Sequence, residues 1–304
     1  MPKEVDIDNV RSSEIQKDDD DRKCAPHITF ENGSCIKTPV LVKMAEAYNE
    51  TFNNKIKLYP AVETLNPGKY KRYLLKEFSK RLSDVCDNQR CWLKQDFMNR
   101  VNQSIKTELE KSTFRPPGPA GNFTWLNTLD INGVMGQYEK KYKNFKFLGA
   151  VPIDFDDLPQ LKIRDLDFEN LYKNGITKFG IIYNLDTSKQ SGSHWVAGYF
   201  DLDKAQVYYY DSYGIKPDPR IRKLMRRVVN SIKNIKNISE SQIDARHNKV
   251  RHQYKNSECG VFSISFILRL LKGKTFDEIA NSKVQDDDIS LCRTVYFADN
   301  SKQK

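Results

Sequence analysis

Residues 192–214 read GSHWVAGYFDLDKAQVYYYDSYG, and their alternation predicts two antiparallel strands joined by a tight turn. If the turn lies on Asp203 and Lys204, Val196 stands opposite Asp211. Side chains alternate along a strand, so His194 and Asp211 would share one face as diagonal neighbours, roughly 7–8 Å apart. A hydrogen bond between them would fix the imidazole tautomer and stabilise the imidazolium, as a general base requires.

A second stretch, residues 251–264 (RHQYKNSECGVFSI), leads into an almost wholly apolar helix that begins at Cys259. Unpaired N–H groups and the dipole at a helix start favour a thiolate. Gln253 lies at the predicted end of a strand, and its amide could complete an oxyanion hole. A plain structural interpretation stays open, because such a cysteine is commonly a core residue and Asp211 suits a turn. Together the four residues fit acyl transfer by a Cys-His-acid group.

The pattern of the whole chain predicts an α+β protein with a helical region before the strands. Apolar residues at helical spacing predict three N-terminal helices, around residues 40–48, 70–82 and 92–109. The prolines and glycines of Arg115-Pro-Pro-Gly-Pro-Ala-Gly121 cannot continue a helix and indicate a linker. The predicted division is a disordered acidic tail (1–25), a helical region (26–112), the linker (113–122), a catalytic domain (123–296) and a C-terminal tail (297–304).

The second part of the chain alternates between strand and helix patterns. A basic helix is predicted between the third and fourth strands, and the apolar helix from Cys259 should be buried. The predicted elements are a helix at 131–142, strands at 179–185, 194–201, 206–211 and about 245–253, and the basic helix at about 219–236.

Charge and composition limit the classes of partner. The 304 residues carry a net charge of +10, and the acidic first 23 residues leave a still more basic remainder, which favours anionic partners such as nucleic acid. No apolar run approaches the roughly 18 residues needed to cross a bilayer, so we expect no membrane insertion. The start of the chain does not resemble a secretory signal, so we expect a cytosol-like compartment.

The six cysteines, at 24, 35, 86, 91, 259 and 292, have no tight, even spacing. In an unsecreted chain this favours free thiols over a disulfide framework. Zinc is disfavoured because the interval between Cys86 and Cys91 is wider than in the usual zinc knuckle, and we expect no metal site. The basic residues of the 219–236 helix fit either a solvated face or contact with DNA, and both interpretations stay open.

The two quoted stretches resemble the SUMO-protease and adenain clan of cysteine proteases, which also has the order His, Asp, Gln, Cys. Trp125-Leu-Asn-Thr128 resembles the WLND element of that family, and Trp195 directly follows the histidine as in family members. Within the clan, the pattern CxxxxCWLKQ that begins at Cys86 and the segment Phe114-Arg-Pro-Pro-Gly-Pro119 are most similar to proteases of nucleocytoplasmic large DNA viruses.

The resemblance implies a papain-like or adenain-like core, in which helices pack a mixed sheet and the nucleophile begins a buried helix. It implies that Cys259 is the nucleophile, His194 the base, Asp211 the group that orients it, and Gln253 the oxyanion donor. The substrate-binding residues implied are Trp125 and Trp195, which would flank a tunnel that admits only glycine main chain.

The resemblance also implies a function. It predicts a cysteine endopeptidase that cuts viral structural polyproteins after Gly-Gly during virion maturation, in the virion and the viral factory of the host cytoplasm. One alternative is a deconjugase for SUMO or another ubiquitin-like modifier, although Thr128 replaces the family's Asp where cellular members meet the modifier. A second is an inactive protease fold that binds nucleic acid in the virion. No cofactor is expected, and activation by DNA or a peptide stays open.

Overall fold

The computed structural model describes residues 22–59, 65–121 and 123–299, and the chain divides into two compact units. One unit runs to Gly118 and takes in the residues from Val295 onward, and the other spans Pro119–Thr294. The division falls inside the predicted linker, while residues 295 and 296 group with the N-terminal unit and not with the predicted catalytic domain.

Both predicted tails lie largely beyond what the structure describes. Only the last four residues of the acidic tail 1–25 and the first three of the C-terminal tail 297–304 are among the described residues. Within the described ranges, no helix is both long and apolar enough to cross a membrane.

Two of the three predicted N-terminal helices are confirmed. Helix α1 (Thr38–Thr51) and helix α2 (Pro67–Leu82) each carry a proline in the first turn, where a missing N–H costs no helical hydrogen bond. Their apolar faces meet in one core, in which the ring of Phe78 stacks on those of Trp92 and Phe97.

The third predicted helix, 92–109, is wrong. The chain is extended at Gln95 and again at Val101, and the Asn102 side chain accepts a hydrogen bond from the Ser104 N–H to start a new helix. The periodic apolar residues are buried all the same, because short turns bring them to the same core. The elements here are α3 (Gln89–Trp92), a 3₁₀ turn (Asp96–Arg100), α4 (Gln103–Glu108) and a π-turn (Leu109–Thr113).

The prediction of free thiols is wrong for four of the six cysteines. Cys24 is bonded to Cys35, and Cys86 is bonded to Cys91. The Cα atoms of the two pairs lie 5.3 and 5.4 Å apart, inside the range that a disulfide spans. Spacing along the sequence did not indicate these pairs because the fold sets which cysteines meet. Cys259 and Cys292 are the free cysteines.

The proline-rich segment, predicted to be a linker, also forms a short strand. Strand β1 (Pro117–Gly118) pairs in parallel with β7 (Ala298–Asp299), so the end of the described chain returns to the N-terminal unit. A Cβ on Gly118 would collide with the ring of Phe297, and glycine is therefore required there.

The second unit is built on a mixed five-stranded sheet in the order β2-β3-β4-β5-β6. The outer pairs β2/β3 and β5/β6 are parallel, and the two inner pairings of β4 are antiparallel. The mixed α+β fold predicted from the sequence is confirmed. The strands are β2 (Phe145–Pro152), β3 (Lys178–Asn184), β4 (Trp195–Asp201), β5 (Gln206–Tyr210) and β6 (Asp244–His247).

The predicted register of β4 and β5 is also confirmed. Ala197 pairs with Tyr210, which is the register that sets Val196 opposite Asp211. The turn is closed by the carboxylate of Asp201, which accepts from the Lys204 N–H, and by Ala205 in the left-handed region with φ +52°.

Helices cover both faces of the sheet. The basic helix α7 (Pro219–Lys236) packs its apolar stripe on one face, and α8 (Cys259–Leu271) crosses the other, where Phe266 stacks on Tyr210 of β5. Both helices begin where the sequence predicted. The remaining helices are α5 (Thr128–Lys141), α6 (Phe168–Lys173), α9 (Phe276–Ala280), α10 (Asp286–Ser290) and α11 (Cys292–Tyr296), with 3₁₀ turns at Phe155–Asp157, Pro159–Leu161 and Glu240–Gln242.

Two strand predictions need correction. Edge strand β2 was not predicted, because Gly149 has a positive φ at a register shift and Pro152 ends the strand, so the alternation is broken. The strand predicted at about 245–253 ends at His247. Beyond it the chain is held by the Asn248 side chain and by hydrogen bonds from the His252 and Gln253 N–H groups to the Ser212 carbonyl.

The disulfides can be tested by labelling. Alkylation of the unfolded, non-reduced protein should modify Cys259 and Cys292 and leave the other four cysteines unmodified, as read by peptide mass spectrometry. Replacing Cys24 and Cys35 together by alanine should lower the free energy of unfolding by about 2–4 kcal/mol, because the bond closes the longer loop. The pair Cys86→Ala and Cys91→Ala is the matched control, with a smaller loss. Six labelled cysteines would contradict the pairing.

Candidate active site

The sheet brings His194 and Asp211 together at one end of the β4–β5 pair. His194 directly precedes β4 and Asp211 directly follows β5. The imidazole Nε2–H donates to the Asp211 Oδ1 at 2.7 Å, and the two residues are only 8% and 1% exposed. The predicted contact between these two side chains is therefore present.

Helix α8 brings the third residue. Cys259 is its first residue and is 2% exposed, and it lies close enough to the His194 imidazole to contribute to the raised pKa of that ring. An imidazolium and a helix N-terminus both favour the thiolate form of a cysteine. The arrangement is that of a nucleophile, a base and an acid in series.

The electrostatics keep the imidazole charged. Burial by itself lowers the pKa of His194, but hydrogen bonds to Asp211 and Cys259 and the charges of those groups outweigh it and raise the pKa to about 9. A pKa of about 9 keeps the imidazole mainly protonated at neutral pH. Its contribution to stability is complete below its ordinary pKa of 6.5 and is lost as the pH rises through about 9.

Tyr213 covers the imidazole. Its ring lies parallel to that of His194, with the centroids 4.4 Å apart and the planes within 9°. Its backbone N–H also donates to Asp211 Oδ1 at 2.8 Å, so the oxygen that holds the histidine is itself oriented by the next turn of chain. Sequence reasoning had treated this tyrosine only as part of a turn.

Asn248 clamps the backbone of Asp211, and sequence reasoning missed it. Its Oδ1 accepts from the Asp211 N–H at 2.9 Å, and its Nδ2 donates to the Asp211 carbonyl at 2.7 Å and to the Val250 carbonyl at 3.1 Å. The side chain is buried. It replaces the ladder bonds that β6 would have supplied. An asparagine in the polar run His247–Arg251 gives no signal of this role.

Gln253 is fully buried on the same loop, beyond the end of β6 and not on a strand as predicted. Its Oε1 accepts from the Ser212 hydroxyl at 2.6 Å, and its Nε2 donates to the Lys255 carbonyl at 2.8 Å. These bonds fix the amide plane next to the turn that carries Asp211. An amide nitrogen has two hydrogens, and one of them is used by Lys255.

A buried ion pair fixes the start of α8, and it too was missed. Arg293 donates from Nε and Nη2 to Glu258 Oε2 at 3.2 and 3.0 Å, and from Nη2 to the Ser257 carbonyl at 3.0 Å. The Ser257 hydroxyl donates to the other oxygen of that carboxylate, Glu258 Oε1, at 2.7 Å. Because this carboxylate stands directly before Cys259, its pairing with Arg293 leaves no uncompensated buried negative charge next to that cysteine.

The two tryptophans have different surroundings. Trp195 is almost buried, and its indole N–H donates to the Leu126 carbonyl at 2.8 Å. Trp125, the residue before Leu126, is 44% exposed. A Cβ on Gly260 would lie 3.1 Å from the Leu126 side chain, so the start of α8 is in close contact with the segment that carries Trp125. The segment that carries Trp125 therefore touches the residue after His194 and the residue after Cys259.

No group of three His, Cys, Asp or Glu side chains is arranged to hold a metal ion in residues 22–59, 65–121 and 123–299. His252 has a structural role, because the Tyr210 hydroxyl donates to its Nδ1 at 2.7 Å. Burial followed by the nearby Lys249 charge lowers the pKa of His247.

Titration of the histidine rings by NMR tests this electrostatic arrangement. His194 should titrate near pH 9, and His247, the internal control, below its ordinary value of 6.5. The Asp211→Asn variant should lower the His194 midpoint by about 1–2 pH units, because a carbonyl cannot supply the charge of a carboxylate. An unchanged midpoint in that variant would contradict the assignment of Asp211 as the partner that holds the imidazolium.

Comparison with known proteins agrees with this geometry. Residues 181–302 match the Ulp1 protease family, C-terminal catalytic domain. A protein of Acanthamoeba polyphaga mimivirus that is named as a thiol protease is 36% identical over 275 residues, which cover 88% of this chain and 90% of that protein. A protein of African swine fever virus named as a SUMO-1 cysteine protease is 24% identical over 230 residues, covering 70% of this chain and 83% of that protein.

A solved structure shares the fold. The crystal structure of an African swine fever virus protease gives a TM-score of 0.63 at 20% sequence identity, over 90% of this chain and 95% of that one. The family match spans His194, Asp211, Gln253 and Cys259. On these matches the chain belongs to the Ulp1 protease family and is a viral thiol protease of the SUMO-protease type.

Proposed function

We propose that this protease cleaves after Gly-Gly in structural precursor proteins of its virus during virion maturation. In this proposal the Cys259 thiolate attacks the carbonyl carbon of the scissile bond, and the backbone N–H groups at the start of α8 and the Gln253 amide stabilise the oxyanion. The His194 imidazolium gives its proton to the leaving amine. The neutral imidazole, held by Asp211, then activates water to hydrolyse the thioester.

The observation that carries the glycine preference is the position of the Trp125 segment. Its carbonyl at Leu126 is bound by Trp195, and Leu126 lies against Gly260. This supports an exposed indole at the edge of the cleft, next to the residues that follow the base and the nucleophile. A peptide that passes such a ring closely enough to reach a buried thiol has little room for a Cβ, so glycine is favoured by exclusion of other residues.

Cleavage of a folded ubiquitin-like modifier is a second candidate, favoured by the name of the African swine fever virus relative. Thr128 and Leu129, on the first turn of α5, are exposed and uncharged. These two positions offer no charge to pair with a modifier surface, and Asp130 on the same turn accepts a hydrogen bond from the Asn127 N–H. The precursor substrate is therefore preferred in our proposal, because an extended Gly-Gly segment needs only the cleft.

The proposal includes contact with DNA and a location in the virion and the cytoplasmic viral factory. Arg220, Arg222 and Arg226 are exposed on α7, as is Lys223, which lies 3.9 Å from Asp156 Oδ2, whereas Arg227 is held by the Asp156 carboxylate at 3.0 Å. The exposed cations suit phosphates of a packed genome. The two disulfides favour the virion over the reducing cytosol, because disulfides persist in oxidising surroundings.

Turnover assays with two substrates test the function. One is an unfolded protein with an internal Gly-Gly-X site, and the other is a linear SUMO fusion, each incubated with wild type and with Cys259→Ala. We expect wild type to cut the unfolded site and Cys259→Ala to cut nothing, with its melting temperature preserved because the change is small. Cys292→Ala, which removes the other buried free thiol, is the matched control and should retain turnover.

The outcomes separate the candidates. Preferential cleavage of the SUMO fusion would replace the maturation proposal by the deconjugase. Cleavage by Cys259→Ala would remove this cysteine from the nucleophile's role. Salt-sensitive DNA binding without any cleavage would favour the inactive nucleic-acid-binding protein.

A second test concerns selectivity. Trp125→Ala should raise the kcat/KM for an Ala-Gly peptide relative to a Gly-Gly peptide by about tenfold, because an excluded methyl group is worth about 1–3 kcal/mol. Phe123→Ala, also an exposed aromatic residue of this segment, is the control and should leave the ratio unchanged. An equal change in both variants would mean that Trp125 does not select glycine.

A further inference from the structure

Four planar groups form a stack that starts at the active-site imidazole. After His194 and Tyr213, the guanidinium carbon of Arg251 lies 5.1 Å from the centre of the Tyr213 ring. The same carbon lies 5.0 Å from the centre of the Tyr254 ring, which is 67% exposed. The stack thus runs from a buried base to the surface.

Arg251 is held rigidly in this stack. Two tyrosine rings lie within about 5 Å of the guanidinium carbon, and the Arg251 Nε donates to the Gln253 carbonyl at 2.7 Å. An arginine side chain otherwise loses much rotamer freedom when it binds a ligand. Because the ordering has already taken place here, a ligand of the guanidinium would bind without most of that cost.

The outer edge of this guanidinium is unused. Its two terminal nitrogens carry four N–H donors, and no carboxylate among the described residues pairs with them, although the side chain is exposed. Nearby Lys255, by contrast, forms an ion pair with Asp287. An arginine fork of fixed orientation matches the two oxygens of a carboxylate.

Arg246 is a second arginine that lies over two aromatic rings, but its guanidinium is paired with carboxylates of this chain. Its guanidinium lies over the rings of Tyr208 and Phe276, at 5.7 and 4.8 Å. Asp244 and Asp277 both bind it. Stacking together with two internal carboxylates makes Arg246 a structural link, whereas Arg251 has the stacking and lacks the carboxylates.

The position of Arg251 relates it to one side of the scissile bond. His194 must protonate the leaving amine, so the substrate residues after the cut pass the imidazole. Tyr213 and then Arg251 follow in the stack on that imidazole. We propose that Arg251 is a specificity-determining residue, which binds the carboxylate of an Asp or Glu that follows the scissile bond in the substrate. This inference rests on the proposed endopeptidase function.

Peptides with an internal Gly-Gly-X site provide the test. Single Glu residues are placed at each of the three positions after the cut, with Gln at the same positions for comparison. Wild type should cleave the best Glu peptide about threefold to tenfold faster in kcat/KM than its Gln counterpart, and added salt should reduce the difference, as for an accessible charge-assisted pair. The preference should vanish in Arg251→Met.

A reversed charge gives the sharpest result. Arg251→Glu should prefer a Lys peptide over the Glu peptide, which loss of folding or of general activity cannot produce. Arg246→Met is the matched control, and its preference for Glu should equal that of wild type. Equal rates on Glu and Gln peptides with wild type would overturn the inference and leave the protease intact, whereas absence of cleavage of every peptide would overturn the proposed function itself.

Discussion

The site depends first on the register between β4 and β5. Ala197 opposite Tyr210 brings the residue before one strand and the residue after the other to the same end of the sheet. A slip of one residue would turn one of the two side chains to the opposite face, because the side-chain period of a strand is two. The 2.7 Å bond between His194 and Asp211 therefore exists only in this register.

The second requirement is that charges buried beside this pair be compensated. A carboxylate at Asp211, another at Glu258 and an imidazolium would each be expensive in an apolar interior without partners. The neighbouring chain supplies those partners: Asn248 and the Tyr213 N–H hold Asp211, and Arg293 neutralises Glu258. These contacts explain how the loop after β6, which also carries Gln253, and helix α11 are tied to the site, although neither Asn248 nor Arg293 was a predicted site residue.

Sequence reasoning succeeded where the signal was local. The register follows from a short turn, and the predicted starts of α7 and α8 coincide with Pro219 and with the apolar run that begins at Cys259. It failed where distant residues decide. Asn248 binds Asp211, which is 37 positions away in the sequence, and Arg293 binds Glu258, which is 35 positions away. A window as short as one helix or strand therefore does not contain both partners. The broken third helix fails because burial in a shared core, and not helical periodicity, places its residues. The disulfides fail for a different reason: the bonded cysteines are only 11 and 5 positions apart, and free thiols were expected because of the predicted compartment and the uneven spacing.

The burial of Cys259 links selectivity to protection. A thiol that is 2% exposed can be reached only by a thin, extended chain, and the glycine preference proposed above rests on the same property. Oxidation and disulfide exchange also require access to the sulfur, so burial slows both reactions. This matters in a chain whose N-terminal unit holds two disulfides, because surroundings that keep those bonds oxidised would also oxidise an accessible thiolate. The narrow approach to the nucleophile thus permits one polypeptide to keep a reduced reactive cysteine and oxidised structural ones at the same time.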